Sequence, residues 1–315
     1  MKTLRHLQRR AQSYSLGCKA SRTLRGDNPD FCCYHLRHTF GSNDHVGLAI
    51  NQLCPFGPVM FELLRKFLLF MTLFVVGMGT YLSMQNTTDW REPLWVQVYP
   101  INGDGRAATD SYIDSLETKD FQSIESFMRK QAKRYRIKID QPVKMILGPR
   151  LTEHPPAVPL NGNPFSIGFW SLKLRWWASR ITSGFVGARP DIRLFLMYFD
   201  PEQTPVLGHS LGLQKGLIGI VNVFATPTQA QTNNFVIAHE MLHTLGATDK
   251  YAGPYSLPVY PAGYADPEKR PLYPQTEAEI MGGRIPLSES EAVIPMGLTQ
   301  SSLGAGTAAE IRWLD

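Results

Sequence analysis

A chain of 315 residues with 43% hydrophobic and 19% charged residues has apolar material for a packed core, which excludes a wholly disordered protein. The net charge of +5 gathers before residue 60, where Lys2, Arg5, Arg9, Arg10, Lys19, Arg22, Arg25 and Arg37 face only Asp27, Asp30 and Asp44. The rest is nearly balanced, which excludes the basic surface that nucleic-acid binding needs.

The first segment also holds all four cysteines, Cys18, Cys32, Cys33 and Cys54. Their spacing lacks the C-x-x-C pattern of a zinc module. Adjacent Cys32 and Cys33 read as unpaired thiols on the reducing side of a membrane. Residues 1–59 read as a weakly structured cytoplasmic tail, or as an over-extended start. From Phe67 to Thr88 no residue is charged, and a bilayer-spanning helix needs roughly 20 apolar residues. Residues 60–88 are therefore expected to form a transmembrane signal anchor. No small-x-small cleavage site follows, so the anchor is expected to be retained. Arg65 and Lys66 precede the run, which predicts a single-pass protein of the cell membrane with an extracytoplasmic C-terminal domain.

Residues 89–315 read as one α/β (α+β) domain. Leu94–Tyr99, Val143–Leu147, Asp191–Phe199 and Leu217–Phe224 are the predicted strands. Asp191–Phe199 is apolar on both faces and so expected to be central. Ile113, Leu116, Ile124, Phe127, Met128, Ala132 and Tyr135 predict helical structure over 110–135. Pro164 to Ile181 is a predicted helix rich in aromatics. Its Trp170, Trp176 and Trp177, set among Lys173, Arg175 and Arg180, resemble an interfacial amphipathic pattern. Core packing with snorkelled cations is the preferred reading of them.

The chemistry concentrates in one helix. Thr226-Pro227-Thr228-Gln229 predicts its start, with Thr at the N-cap, Pro in the first turn and Gln completing a capping box. Phe235, Ala238, Leu242 and Leu245 should face the core. His239 and His243, four apart, stand one above the other. Two imidazoles in that relation can grip one Zn2+. Glu240, one step round, is placed to reach a water and act as general base. Gly246 suits a left-handed helix stop, after which the chain can return Asp249 as a third, carboxylate ligand.

The string His239-Glu240-Met241-Leu242-His243-Thr244-Leu245-Gly246-Ala247-Thr248-Asp249 resembles the extended signature of the metzincin zinc metallopeptidases, H-E-x-x-H-x-x-G-x-x-H. Its terminal Asp is similar to the snapalysin-type branch. Glu279-Ile280-Met281-Gly282-Gly283-Arg284 is similar to the methionine turn that lies beneath the metal in that family. The resemblance implies a catalytic domain with a mixed twisted sheet, an active-site helix, the turn around Met281 and a closing helix, here Thr307 to Trp313. It implies a membrane-anchored, zinc-dependent endopeptidase acting on peptide or protein substrates. Two departures stand out: Asp249 replaces the commoner third His, and no Tyr directly follows Met281. Tyr251, Tyr255, Tyr260, Tyr264 and Tyr273 lie between the third ligand and that turn, and one of them could assist the oxyanion. The substrate is expected to lie extended beside the strand near Leu217–Val223. Two alternatives remain open at this point. One is a non-proteolytic membrane protein with a structural zinc. The other keeps the enzyme but takes Glu277 or Glu279 as third ligand.

Overall fold

The computed structural model describes residues 58–159, 162–184, 190–214 and 216–314. Residues 1–57, with most of the expected tail and all four cysteines, lie outside them. The first element is one continuous helix of 31 residues, Pro58–Thr88 (α1). Large apolar side chains along it, among them Phe67, Phe70, Leu73 and Phe74, are exposed. The expected bilayer span is nevertheless not supported as stated. Among the described residues no helix is long and apolar enough to cross a membrane. The side chains of Val76 and of residues 79–88 lie outside the described ones.

Beyond α1 the chain is mixed α/β. The elements that frame the site are β1 (Leu94–Asn102), α2 (Ala107–Asp114), α3 (Gln122–Arg134), β2 (Val143–Leu147) and α4 (Pro164–Thr182). They are followed by β3 (Ile192–Phe199), β4 (Leu211–Leu213), β5 (Ile218–Phe224), α5 (Ala230–Thr244) and α6 (Ala305–Glu310). Five strands form one sheet in the order β2-β1-β3-β5-β4. Its first four strands run parallel, and β4 pairs antiparallel with β5.

As its apolar run predicts, β3 is central and buried on both faces. Leu194, Leu196 and Tyr198 join the core shared with α3 and α5. Phe195 and Met197 join a second core, which α4 closes with Trp170, Leu174, Trp177 and Ala178. The domain is thus a sheet between two helical layers, a way for a parallel sheet to cover both faces.

The helix expected over 110–135 is broken. α2 ends at Asp114, and a 3-10 turn at Thr118–Phe121 precedes α3. The Asp120 carboxylate accepts from the Glu117 N–H at 2.8 Å in a capping box, so the chain restarts there. The apolar spacing continues across the break and hides it.

Candidate metal centre

Thr226 and Pro227 open the helical segment as the sequence suggests, but without the expected capping box. Thr226 is extended and makes no side-chain cap; Pro227–Gln229 form a 3-10 turn that runs into α5. Two buried asparagines hold the helix instead. Asn233 pairs with both the N–H and the carbonyl of Phe224, at 3.1 and 2.9 Å, tying α5 to the end of β5. Asn234 donates to the Asp120 carbonyl at 2.6 Å. Phe235, Ala238, Leu242 and Leu245 face the core as expected.

The C-terminal end follows the sequence closely. Gly246 has φ +105°, a conformation that side chains with a Cβ rarely adopt. A Cβ there would also meet Gln214 Nε2 at 2.5 Å. The reversal brings Asp249 back to the two histidines. Its Oδ1 lies 3.2 Å from His239 Nε2 and 3.1 Å from His243 Nε2. The two Nε2 atoms are 3.1 Å apart.

The other ring nitrogens settle the tautomers. His239 Nδ1 is 2.8 Å from the Ile280 carbonyl, and His243 Nδ1 is 2.8 Å from the Ala247 carbonyl. A carbonyl oxygen only accepts, so each ring carries a hydrogen on Nδ1. Each neutral ring therefore turns a bare Nε2 lone pair toward the other and toward Asp249. Three acceptors converging in this way repel one another unless a cation or a proton sits among them. His239, His243 and Asp249 form a group that could hold a metal ion. A tetrahedral ion bound at about 2.0–2.1 Å sets its ligand atoms about 3.3–3.4 Å apart, close to the spacing here.

Without a cation, protons take up the strain. Burial pushes the Asp249 carboxyl up, but hydrogen bonds from His239 and His243 outweigh it and hold it well below the usual carboxylate range. Burial pushes His243 down, yet its bonds to Asp249 and Ala247 leave it above the ordinary imidazole value.

Glu240 is buried next to this group, and among the described residues its Oε2 has no hydrogen-bond partner. Burial raises its pKa against the opposing pull of His239 and His243. An orphaned carboxylate oxygen at such a depth costs free energy, so its retention calls for a partner such as a water or substrate. β4 passes directly across this part of α5. A Cβ on Gly212 would lie 2.5 Å from His243 Cβ and 2.6 Å from the Glu240 carbonyl.

The alternative third ligands are not part of the group. Glu279 is fully buried, and its carboxylate accepts from Gly282 N–H, Gly304 N–H and Thr307 Oγ1 at 2.8, 3.0 and 2.6 Å. It fastens the turn 279–283 to α6. Met281, on that turn, is buried in the core that α5 shares, and its carbonyl accepts from the Lys250 N–H at 2.8 Å.

Sequence reasoning missed Glu310. Its carboxylate accepts from Thr248 N–H, Thr248 Oγ1 and Lys250 Nζ at 2.9, 2.6 and 2.7 Å, bracketing Asp249 on both sides. Nothing in the motif points to a residue 62 positions away. Among the loop tyrosines, Tyr251 stands nearest the site. Its ring stacks 6.3 Å from that of His239. Burial and the adjacent Asp249 charge push its phenol up to about 12. Tyr264 and Tyr273 instead bond each other at 2.7 Å.

One expectation needs correcting. β5 is not a free edge, because β3 pairs with it throughout and β4 covers Ile218–Ile220. The edge strand is β4, three residues with one glycine, too short for its pattern to show in the sequence. No protein-family model matches the chain, and no curated protein matches its sequence.

Proposed function

We propose that this chain is a zinc-dependent endopeptidase of metzincin type. The observation that carries the proposal is Glu240, a buried carboxylate with a partnerless oxygen beside three converging metal-ligating atoms. A structural metal site has no use for such a group. Two imidazoles and one carboxylate are a donor set that suits zinc. When bound, the ion supplies Lewis acidity toward a carbonyl and a water. The protein's own groups do the rest. His239, His243 and Asp249 hold the ion. Glu240 takes the proton of the attacking water and passes it to the leaving amine. Tyr251 keeps its phenolic proton at neutral pH and serves as donor to the carbonyl oxygen as charge develops there. The substrate backbone lies along the edge of β4, which crosses α5 at Glu240 and His243. α1, with its exposed apolar side chains, attaches the enzyme to a membrane.

The deciding experiment compares the full chain with its Glu240→Gln variant, measuring zinc content and cleavage of a mixed peptide library together. The variant keeps shape and ligands, so it should bind zinc as the parent does and lose about 100-fold or more in hydrolysis. Equal cleavage by the two, or no cleavage by a zinc-loaded parent, would move the assignment to a structural zinc protein.

A further inference from the structure

α4 carries two apolar faces, and among the described residues only one packs against the fold. Trp170, Leu174, Trp177 and Ala178 pack against the sheet. Phe165, Phe169, Leu172 and Trp176 are spaced four, three and four apart, so they share about 60° of arc on the opposite side. All four are exposed, from 62% for Leu172 to 88% for Phe165. A row of three aromatics and a leucine in water is costly and marks a contact surface.

The charges on this helix say what it meets. Its 19 residues contain Lys173, Arg175 and Arg180 and no acidic residue. At 3.6 residues per turn, Lys173 and Arg180 flank the apolar row on one side, and both are exposed; Arg175, on the other side, has its Nε buried in the fold. Arg180 lies over the Trp176 ring at 5.2 Å from its centroid and also pairs with Glu153. Aromatics along the centre with exposed cations beside them is the arrangement of a helix lying in the plane of an anionic bilayer. The rings enter the acyl boundary there, and the cations meet the phosphates. A protein partner would be expected to offer acids to the cations as well, but nothing on α4 selects a polar surface: its exposed centre is wholly apolar.

We propose that α4 is an interfacial membrane-binding helix that rests the domain on an anionic lipid surface. This does not depend on the peptidase reading. The full chain is reconstituted into vesicles of phosphatidylcholine, alone or with phosphatidylglycerol, whose acyl chains are brominated to quench tryptophan emission. Phosphatidylglycerol vesicles should quench a component that Trp176→Phe lacks. The exposed pair Phe169→Ser with Leu172→Ser should lose most of that component, and high salt should reduce it. Lys173→Glu keeps the apolar row and should weaken quenching in the anionic vesicles only. If Trp176→Phe loses no quenched component, the proposal fails. It also fails if Trp176 stays unquenched while the parent forms a dimer that the double serine variant dissociates, which would make the face a self-contact.

Discussion

His239 donates from Nδ1 to the carbonyl of Ile280, 2.8 Å away, so the orientation of one ring of the candidate metal group is set by a backbone 41 residues downstream. A ring held in this way offers Nε2 with its lone pair already aimed. The turn that supplies the carbonyl is held in turn by Glu279. The turn 279–283 thus fixes the tautomer of His239 through the Ile280 carbonyl.

Metal content should follow the three convergent ligands. His239→Ala or His243→Ala should abolish stoichiometric zinc in the purified protein. Asp249→Ala should weaken zinc by more than the roughly 10–100-fold that loss of an outer-shell partner costs. Glu277→Ala should leave zinc unchanged. Metal analysis with competing chelators reads all four, and loss of zinc from the Glu277 variant alone would reassign the third ligand.

Glu279→Gln should destabilise the domain although it leaves every ligand in place. Three donors converge on the two carboxylate oxygens, so an amide must set its own N–H against one of them. A mismatch of this kind costs about 1–3 kcal/mol. Chemical denaturation reads it. Zinc affinity should fall as well, since Ile280 would no longer be held to receive His239.

The clamp at Glu310 gives a pH signature. Burial raises its pKa, but bonds from Lys250 and Thr248 outweigh this and bring it below the ordinary value. A depressed folded-state pKa means that the stabilisation is present above the unfolded value. It is lost as pH falls through the folded one. Glu310→Gln should therefore unfold at a lower temperature than the parent at pH 7. The gap should close on acidification below the ordinary carboxylate range. A gap that persists in acid would show that the carboxylate charge is not what holds Lys250.

Gly212→Ala tests the approach of β4 to α5. Its methyl would meet His243 Cβ and the Glu240 carbonyl, so it should cost about 1–3 kcal/mol and displace the edge strand. Gly208→Ala, whose nearest neighbour would be Asn222 Nδ2 at 3.7 Å, serves as the control and should be nearly neutral.

Much of this was legible because the signals are local. Val143–Leu147 forms the predicted strand residue for residue, and Gly246 takes the left-handed turn that its lack of a side chain permits. His239 and Asp249 are only 10 positions apart with His243 between them, and a helix with a stop brings the three together. What escaped depends on contacts distant in sequence or on patterns too short to register. Glu310 and Asn233 carry no motif, β4 is three residues long, and the restart at Glu117 sits under an unbroken apolar period. The second apolar row of α4 was visible as composition. Which of its tryptophans would be covered depended on how the sheet was filled from the other side.

The indole of Trp90 donates to the carbonyl of Ile311 at 2.8 Å, and the Trp90 and Trp313 rings meet at 5.2 Å. The segment that leads into β1 is thereby fastened to the one that leaves α6, one residue beyond the Glu310 clamp. A nascent chain whose three ligands have already been made still lacks the carboxylate that brackets Asp249 and the carbonyl that receives Trp90. Assembly of the metal centre therefore waits for almost the whole domain to be synthesised. Until then His239, His243 and Asp249, though close in sequence, lack the Glu310 contacts that bracket Asp249.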